Sequence, residues 1–201
     1  MPTILPDVRS FLTGTDRLLR LTHDLSSIPL EHRRMVSEII LLRTSVFVEN
    51  SLKVIISKIC CNATYLDGAA PLLIAPQRSI GHATNAMKLL GRAKERNLVW
   101  NDGGEIRKNI VHVVDPSDHV AGVMIRHASF LTELRYIRNH IAHRNDGTRK
   151  NFRKVVVKYY GAAIPGITCG VILLSGRVIR PCLLDVTIRT ARTLIRDVTR
   201  Y

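Results

Sequence analysis

Arg138, Asn139 and His143 are the residues whose types and spacing point most directly to chemistry in this 201-residue chain. They stand in the run Leu134-Arg135-Tyr136-Ile137-Arg138-Asn139-His140-Ile141-Ala142-His143-Arg144-Asn145, at the end of a long helical pattern. An arginine offers a planar fork that matches phosphate oxygens. An imidazole titrates near neutrality and can give or take a proton. An asparagine orients either of them. With a net charge of +14, that is close to a minimal set for cleaving RNA without a metal. His143 would act as general base on a ribose 2′-hydroxyl, or as acid toward the 5′-oxygen leaving group, and Arg138 would hold the scissile phosphate. Arg-x4-His spacing alone carries little weight, since random placement yields about 0.9 matches and the chain has three. Requiring Asn after the Arg lowers the chance expectation to about 0.04, and only Arg138 meets it.

On one helix, Asn139 and His143 are i and i+4 and share a face with Arg135, so Asn139 is placed to orient His143. Arg138 falls about 140° around the helix from His143. One straight helix therefore presents the two poorly to a single phosphate, whereas a groove between two antiparallel copies would bring both sets together. A simpler reading remains beside this one: basic side chains in a last helical turn complement its dipole and free carbonyls. That accounts for Arg and His, but neither for the Asn nor for the positive charge that follows.

Arg-Asn-x-x-x-His near the end of a long helix, followed by a polar and basic segment, resembles the HEPN superfamily. The specific signal covers residues 138–143, the helical layout extends it over about 30–200, and the stand-alone RiboL-PSP-HEPN-like group is the most similar. The resemblance implies a small helical bundle and a homodimer with a composite site at its two-fold interface. It also implies a metal-independent endoribonuclease leaving 2′,3′-cyclic phosphate and 5′-hydroxyl ends, in toxin, phage-defence or RNA-processing systems. An antitoxin or defence-system partner belongs to that picture. HEPN toxins silenced by a nucleotidyltransferase usually carry Tyr two residues after the His, and Asn145 departs from that pattern.

The charge supports a polyanionic partner. Residues 1–118 hold 15 basic and 12 acidic side chains, whereas residues 119–201 hold 15 and 4, so most of the excess lies around and beyond the motif. Arg135, Arg144, Arg149, Lys150, Arg153 and Lys154 are the candidates for tracking an RNA backbone without reading its sequence. A solvated basic loop is the plain reading of the same run. Glu49 is a further candidate, an acid on an apolar helical stripe that needs a partner such as Arg43 or Arg138. It either lines the site and fixes the motif arginine, or forms a structural ion pair. A non-catalytic RNA-binding or helical protein-interaction module remains the competing function.

No metal or cofactor is expected. His140 and His143 at i,i+3 have neither a Cys nor a nearby carboxylate to complete a ligand set, and no HExxH is present. His127, on a core stripe, reads as a satisfied interior histidine. Cys60, Cys61, Cys169 and Cys182 lack zinc-ligand spacing and read as reduced small hydrophobes, which suits the cytoplasm. The first residues lack the pattern of a signal peptide, and Gly161 to Leu174 is too short and too broken to cross a bilayer.

The elements that must position these residues are mainly α. An arm over residues 1–28 carries a short helix at about Thr15–Leu25, and a HEPN-like domain spans 29–201. The expected helices are about Glu31–Tyr65, Ser79–Asn97, Glu105–His112 and, capped by Ser117, a long one to Arg144. Met35, Ile39, Leu42, Val46, Ile56 and Ile59 form the stripe of the first of these. The β-branched runs Val155–Tyr160 and Thr168–Leu174, with a turn into Arg177–Arg180, predict a small β-hairpin or meander over about 153–180. A last amphipathic helix follows Pro181, with Leu184, Ile188, Ala191, Ile195 and Val198 on one face.

Overall fold

A computed structural model describes residues 2–89, 98–176 and 181–200. Among the described residues the protein is mainly helical, with no strand and one isolated β-bridge, Leu73 to Val114. The helices are α1 (Leu5–Asp24), α2 (Leu30–Cys60), α3 (Ile80–Leu89), α4 (Gly103–Ile110), α5 (His119–Arg126), α6 (Ala128–His143), α7 (Asp146–Tyr160), α8 (Cys169–Leu174) and α9 (Leu183–Thr199). The chain divides into two compact units, one of residues 1–12, 47–132 and 192–201, the other of residues 13–46 and 133–191.

In the first unit, the buried residues include Ile4, Val8, Leu52, Ile55, Ile56, Ile59, Ile106, Ile110, Val123 and Met124. Its polar organiser is Asp118. The carboxylate N-caps α5 by accepting from Val120 N–H at 2.9 Å, takes Leu72 N–H at 2.7 Å, and is hydrogen-bonded by the Tyr65 hydroxyl. Burial, with that bond second, pushes the Tyr65 phenol far above its ordinary range. The expected cap at Ser117 lies one residue early; its hydroxyl instead donates to Asp115 at 2.6 Å.

The single helix expected from Ser117 to Arg144 is two. His127 leaves helical geometry at φ −98°, ψ 7°, and separates α5 from α6. Its Nε2 lies 2.7 Å from Asp197 Oδ2, so this half-buried histidine is satisfied, as its place on the stripe suggested. Gly103 packs against the same junction: a Cβ there would stand 2.5 Å from Met124 O and 2.9 Å from Ala128 Cα. Only a glycine lets the start of α4 approach that closely.

In the second unit, Leu18, Leu25, Ile40, Leu41, Leu134, Ile137, Phe152, Val155, Val156, Ile172, Leu173, Leu184 and Ile188 are buried. The expected hairpin is absent among the described residues. Val155–Tyr160 completes α7 and Thr168 caps α8, while Arg177–Arg180 lies outside the described residues. The physical reason is capping. Asn145 and Thr148 form a reciprocal capping box at the start of α7, and Gly161, at φ +73°, closes its end. Phe152, Val155 and Val156 then share one buried face at helical spacing. The helix penalty of a β-branched residue, a few tenths of a kcal/mol, is too small to compete.

The stripe on α2 is borne out only in part. Ile56 and Ile59 are buried, but Met35, Ile39 and Val46 are 58%, 55% and 45% exposed. Ser37, Ile40, Leu41, Thr44 and Ser45 occupy the covered side instead. Hydroxyl groups are tolerated there because they bond back along their own helix: Ser37 Oγ to Arg34 O at 2.7 Å, and Thr44 Oγ1 to Ile40 O at 2.8 Å. The helix also ends at Cys60 rather than Tyr65, with Asn62 in the left-handed region at φ 64°. The arm carries a longer helix than expected, Leu5–Asp24, while the last helix keeps its stripe: Leu184, Ile188, Ala191, Ile195 and Val198 are all buried.

Candidate nucleic-acid interface

The motif occupies the last turns of α6, in the second unit. Arg138 is half-buried, and its Nη1 donates to Asn139 Oδ1 at 2.9 Å. The asparagine therefore positions the arginine. No hydrogen bond joins Asn139 to His143 among the described residues, contrary to the i,i+4 expectation. His143 is exposed at the helix end. Arg144 follows in the left-handed region, φ 43°, where its N–H donates to His140 O at 3.1 Å and stops the helix. Asn145 is the N-cap of α7. The two-residue break between α6 and α7 is thus built from the motif's own flank.

Helix α7 carries the rest of the basic run. Arg149, Lys150, Arg153 and Lys154 are all exposed. Arg149 shares an exposed pair with Asp146 at 3.5 Å. Arg135 and Lys154 both approach Tyr136, with their charges 5.7 and 5.6 Å from its ring centroid. Such cation–π contacts are worth about 0.5–1 kcal/mol at exposed sites, enough to set side-chain direction. Arg144 Nη2 lies 3.2 Å from Glu38 Oε2, whose other oxygen accepts Gly170 N–H at 2.9 Å. Glu38 thereby ties α2, the motif's end and the first turn of α8 together.

Beneath the motif, the His140 imidazole stacks on Phe152, with centroids 4.8 Å apart and planes 15° from parallel. His140 Nδ1 faces Thr148 Oγ1 at 3.3 Å. Burial, reinforced by Arg149 and Arg144, lowers the pKa of His140 and favours the neutral ring. Two hollows flank this layer. One, about 570 Å³, opens between α7 and the connector after Gly161. The other, about 390 Å³, is lined by Met35, Glu38, His140, Ile141 and Arg144 among others.

Of the sequence candidates, the second unit brings together Arg135, Arg138, Asn139, His143, Arg144, Arg149, Lys150, Arg153 and Lys154 on α6 and α7. Glu49 belongs to the first unit, where Asn101 Nδ2 donates to its Oε1 at 3.0 Å. Tyr136, His140, Thr148, Phe152 and Glu38 were not among the candidates. Aromatics interleaved with a basic run are the signal that would have found Tyr136 and Phe152. Nothing in the local sequence marks Glu38, whose partners lie more than a hundred residues away.

Cys60 and Cys169 are buried free thiols, each pushed up to about 12 chiefly by desolvation, which makes them poor nucleophiles at neutral pH. No group of three or more His, Cys, Asp or Glu side chains that could hold a metal ion occurs among the described residues. No helix among them is long and apolar enough to cross a membrane. No protein-family model matches the chain, and no curated protein or solved structure matches it either.

Proposed function

We propose that this protein is an endoribonuclease of the HEPN type that acts as a homodimer without a metal, in a toxin, defence or RNA-processing role. One observation carries the reading: a positioned Arg138 and an exposed His143 end the same helix, and the exposed cations of α7 follow directly. Arg138, held by Asn139, supplies a fixed charge for the scissile phosphate and for charge developing in the transition state. His143 removes the 2′-hydroxyl proton, O2′ attacks phosphorus, and the bond to the 5′-oxygen breaks. The proton that the leaving oxygen needs comes from a second imidazole, His143 of another copy. The products are a 2′,3′-cyclic phosphate and a 5′-hydroxyl, and DNA resists because it lacks the nucleophile.

The dimer is supported by two features. Arg138 and His143 diverge by about 140° around one helix, so one copy aims them apart. The exposed apolar residues Met35, Ile39 and Val46 on α2 are the kind of surface that a second copy covers, and Met35 lines the hollow beside Ile141 and Arg144. Growth arrest and fragmented RNA in a bacterial host expressing wild type, both lost in Arg138→Ala and His143→Ala, test the catalytic reading. Purified protein should cut RNA in the presence of a chelator. Cleavage by His143→Ala at the wild-type rate refutes it.

A second reading has its own support. No hydrogen bond orients His143 among the described residues, which suits a surface that binds RNA without turnover. Tight RNA binding unchanged by His143→Ala, with no fragments, would favour that reading.

A further inference from the structure

The hollow between α7 and the connector that follows it has no part in the chemistry above. It is built from unlike halves. Val156 on α7, with Ile164 and Ile167 on the connector, gives an apolar wall. Arg149 and Arg153, exposed and one turn apart on α7, line it as well. His140 and Phe152, stacked on one another, line it too. His140 Nδ1 is turned to Thr148, so Nε2 is the ring nitrogen left for a ligand, and burial lowers the ring's pKa, which favours its neutral form. A neutral imidazole both donates and accepts across its two nitrogens.

Apolar walls with a few convergent polar groups and a volume of about 570 Å³ suit a small organic ligand. The two arginines narrow its class. Their charge calls for an anion, and the pairing with Asp146, exposed and 3.5 Å long, holds Arg149 only weakly. A flat heteroaromatic ring joined to a phosphate meets every feature at once: ring against the apolar wall, ring edge on His140 Nε2, phosphate on Arg149 and Arg153. Lys150 and Lys154 are exposed about 100° around α7 from Arg149 and Arg153 and widen the basic surface beside the hollow, which favours a ligand with further phosphates over a free mononucleotide.

We infer that this hollow is a nucleotide subsite that takes one unstacked base of a single-stranded RNA, with the flanking phosphates on Arg149 and Arg153. It deepens the ribonuclease reading, for it lies on the unit that holds the motif and shares its histidine-bearing helix. It selects single-stranded over duplex RNA, because only a strand free of pairing presents a base to it.

The test is equilibrium binding of the full chain to three probes. These are a short 2′-O-methyl oligoadenylate, which cannot be cleaved; an oligomer of equal length and charge made wholly of abasic nucleotides; and free adenosine monophosphate. Stacking one base changes affinity by about tenfold. The expected result is oligoadenylate binding about tenfold tighter than the abasic oligomer, with the mononucleotide weakest. Ala163→Trp fills the hollow and should remove the difference while leaving abasic binding intact. Ile164→Glu, at a more exposed position, places a carboxylate at its mouth and serves if the tryptophan variant fails to fold. Arg149→Ala with Arg153→Ala should weaken both oligomers.

Equal binding of the two oligomers by wild type, or a base preference that survives a folded variant, overturns the subsite and leaves only a basic surface. Mononucleotide binding as tight as the oligomer overturns the strand as its ligand. Cleavage plays no part in these readouts. Their failure beside intact His143-dependent activity therefore removes the subsite alone, whereas base-dependent binding by a protein that never cuts removes only the catalytic reading.

Discussion

Gly170→Ala measures how closely α8 rests on α2. Gly170 is the second residue of α8, and a Cβ built there would lie 2.7 Å from both Arg34 Cβ and Arg34 O, and 2.8 Å from Arg34 Cα. These atoms are backbone or fixed to it, so no rotamer change relieves the clash. Comfortable carbon contacts begin near 3.5 Å, so α8 must retreat by roughly 1 Å. Retreat also stretches the Gly170 N–H bond to Glu38, now 2.9 Å, at the point where Glu38 holds Arg144 beside the motif. Overpacking costs about 1–3 kcal/mol and a weakened charge-assisted hydrogen bond adds about 1. Alanine's better helix propensity returns at most about 1 kcal/mol. The net is about 2 kcal/mol of destabilisation, or a Tm lower by roughly 4–8 °C for a chain of this size. Thermal unfolding followed by circular dichroism reads it directly. Gly81→Ala is the control: it sits in α3 with only Ser79 Oγ at 3.8 Å, and the same exchange should stabilise by up to about 1 kcal/mol. If Gly170→Ala melts at or above the wild-type temperature, the close approach of α8 to Arg34 is wrong.

Three further outcomes are expected. Asp118→Ala removes the α5 cap and orphans the Tyr65 hydroxyl and Leu72 N–H, costing about 3 kcal/mol in chemical denaturation; a loss below about 1 would contradict its hub role. His140 should titrate below an ordinary imidazole by NMR, and Arg149→Ala should raise its pKa. Because its folded value lies below the unfolded one, the unfolded chain protonates first, so stability holds above pH about 6.5 and falls as pH drops through the window beneath it. A histidine-to-glutamine change at 140 should flatten that slope, and an unchanged slope would assign it elsewhere. Replacing Lys150 and Lys154 by Ala should weaken RNA binding alike for all sequences and reduce its salt dependence, as non-specific phosphate contacts do. A sequence-dependent loss would mean they read bases.

The helices were legible where one amphipathic period ran uninterrupted, as on α9, and where polar caps stood at the ends. Asn145 and Gly161 are equally visible, yet the β-branched run Val155–Tyr160 between them has the composition of a strand. A capping box and a buried face at 152, 155 and 156 outweigh intrinsic propensities of a few tenths of a kcal/mol. The break at His127 had no local mark at all, since it depends on Asp197 and on Gly103 meeting the same turn. At the motif, helical spacing paired Asn139 with His143, but the adjacent Arg138 reached the amide oxygen first.

By itself the amino-acid order determined the helical class, the face of the last helix, the buildup of cations behind Arg138 and His143, and their divergence around one helix. Each follows from neighbours a few residues apart, where 3.6-residue periodicity and charge need no distant partner. Tertiary structure alone decided that Ser37, Thr44 and Ser45 are buried while Met35, Ile39 and Val46 face outward, that Glu38 braces the motif, and that His140 stacks on Phe152 in the lining of a hollow. Those outcomes depend on contacts between different helices, and burial there is settled by which surfaces close-pack, a quantity no local pattern contains.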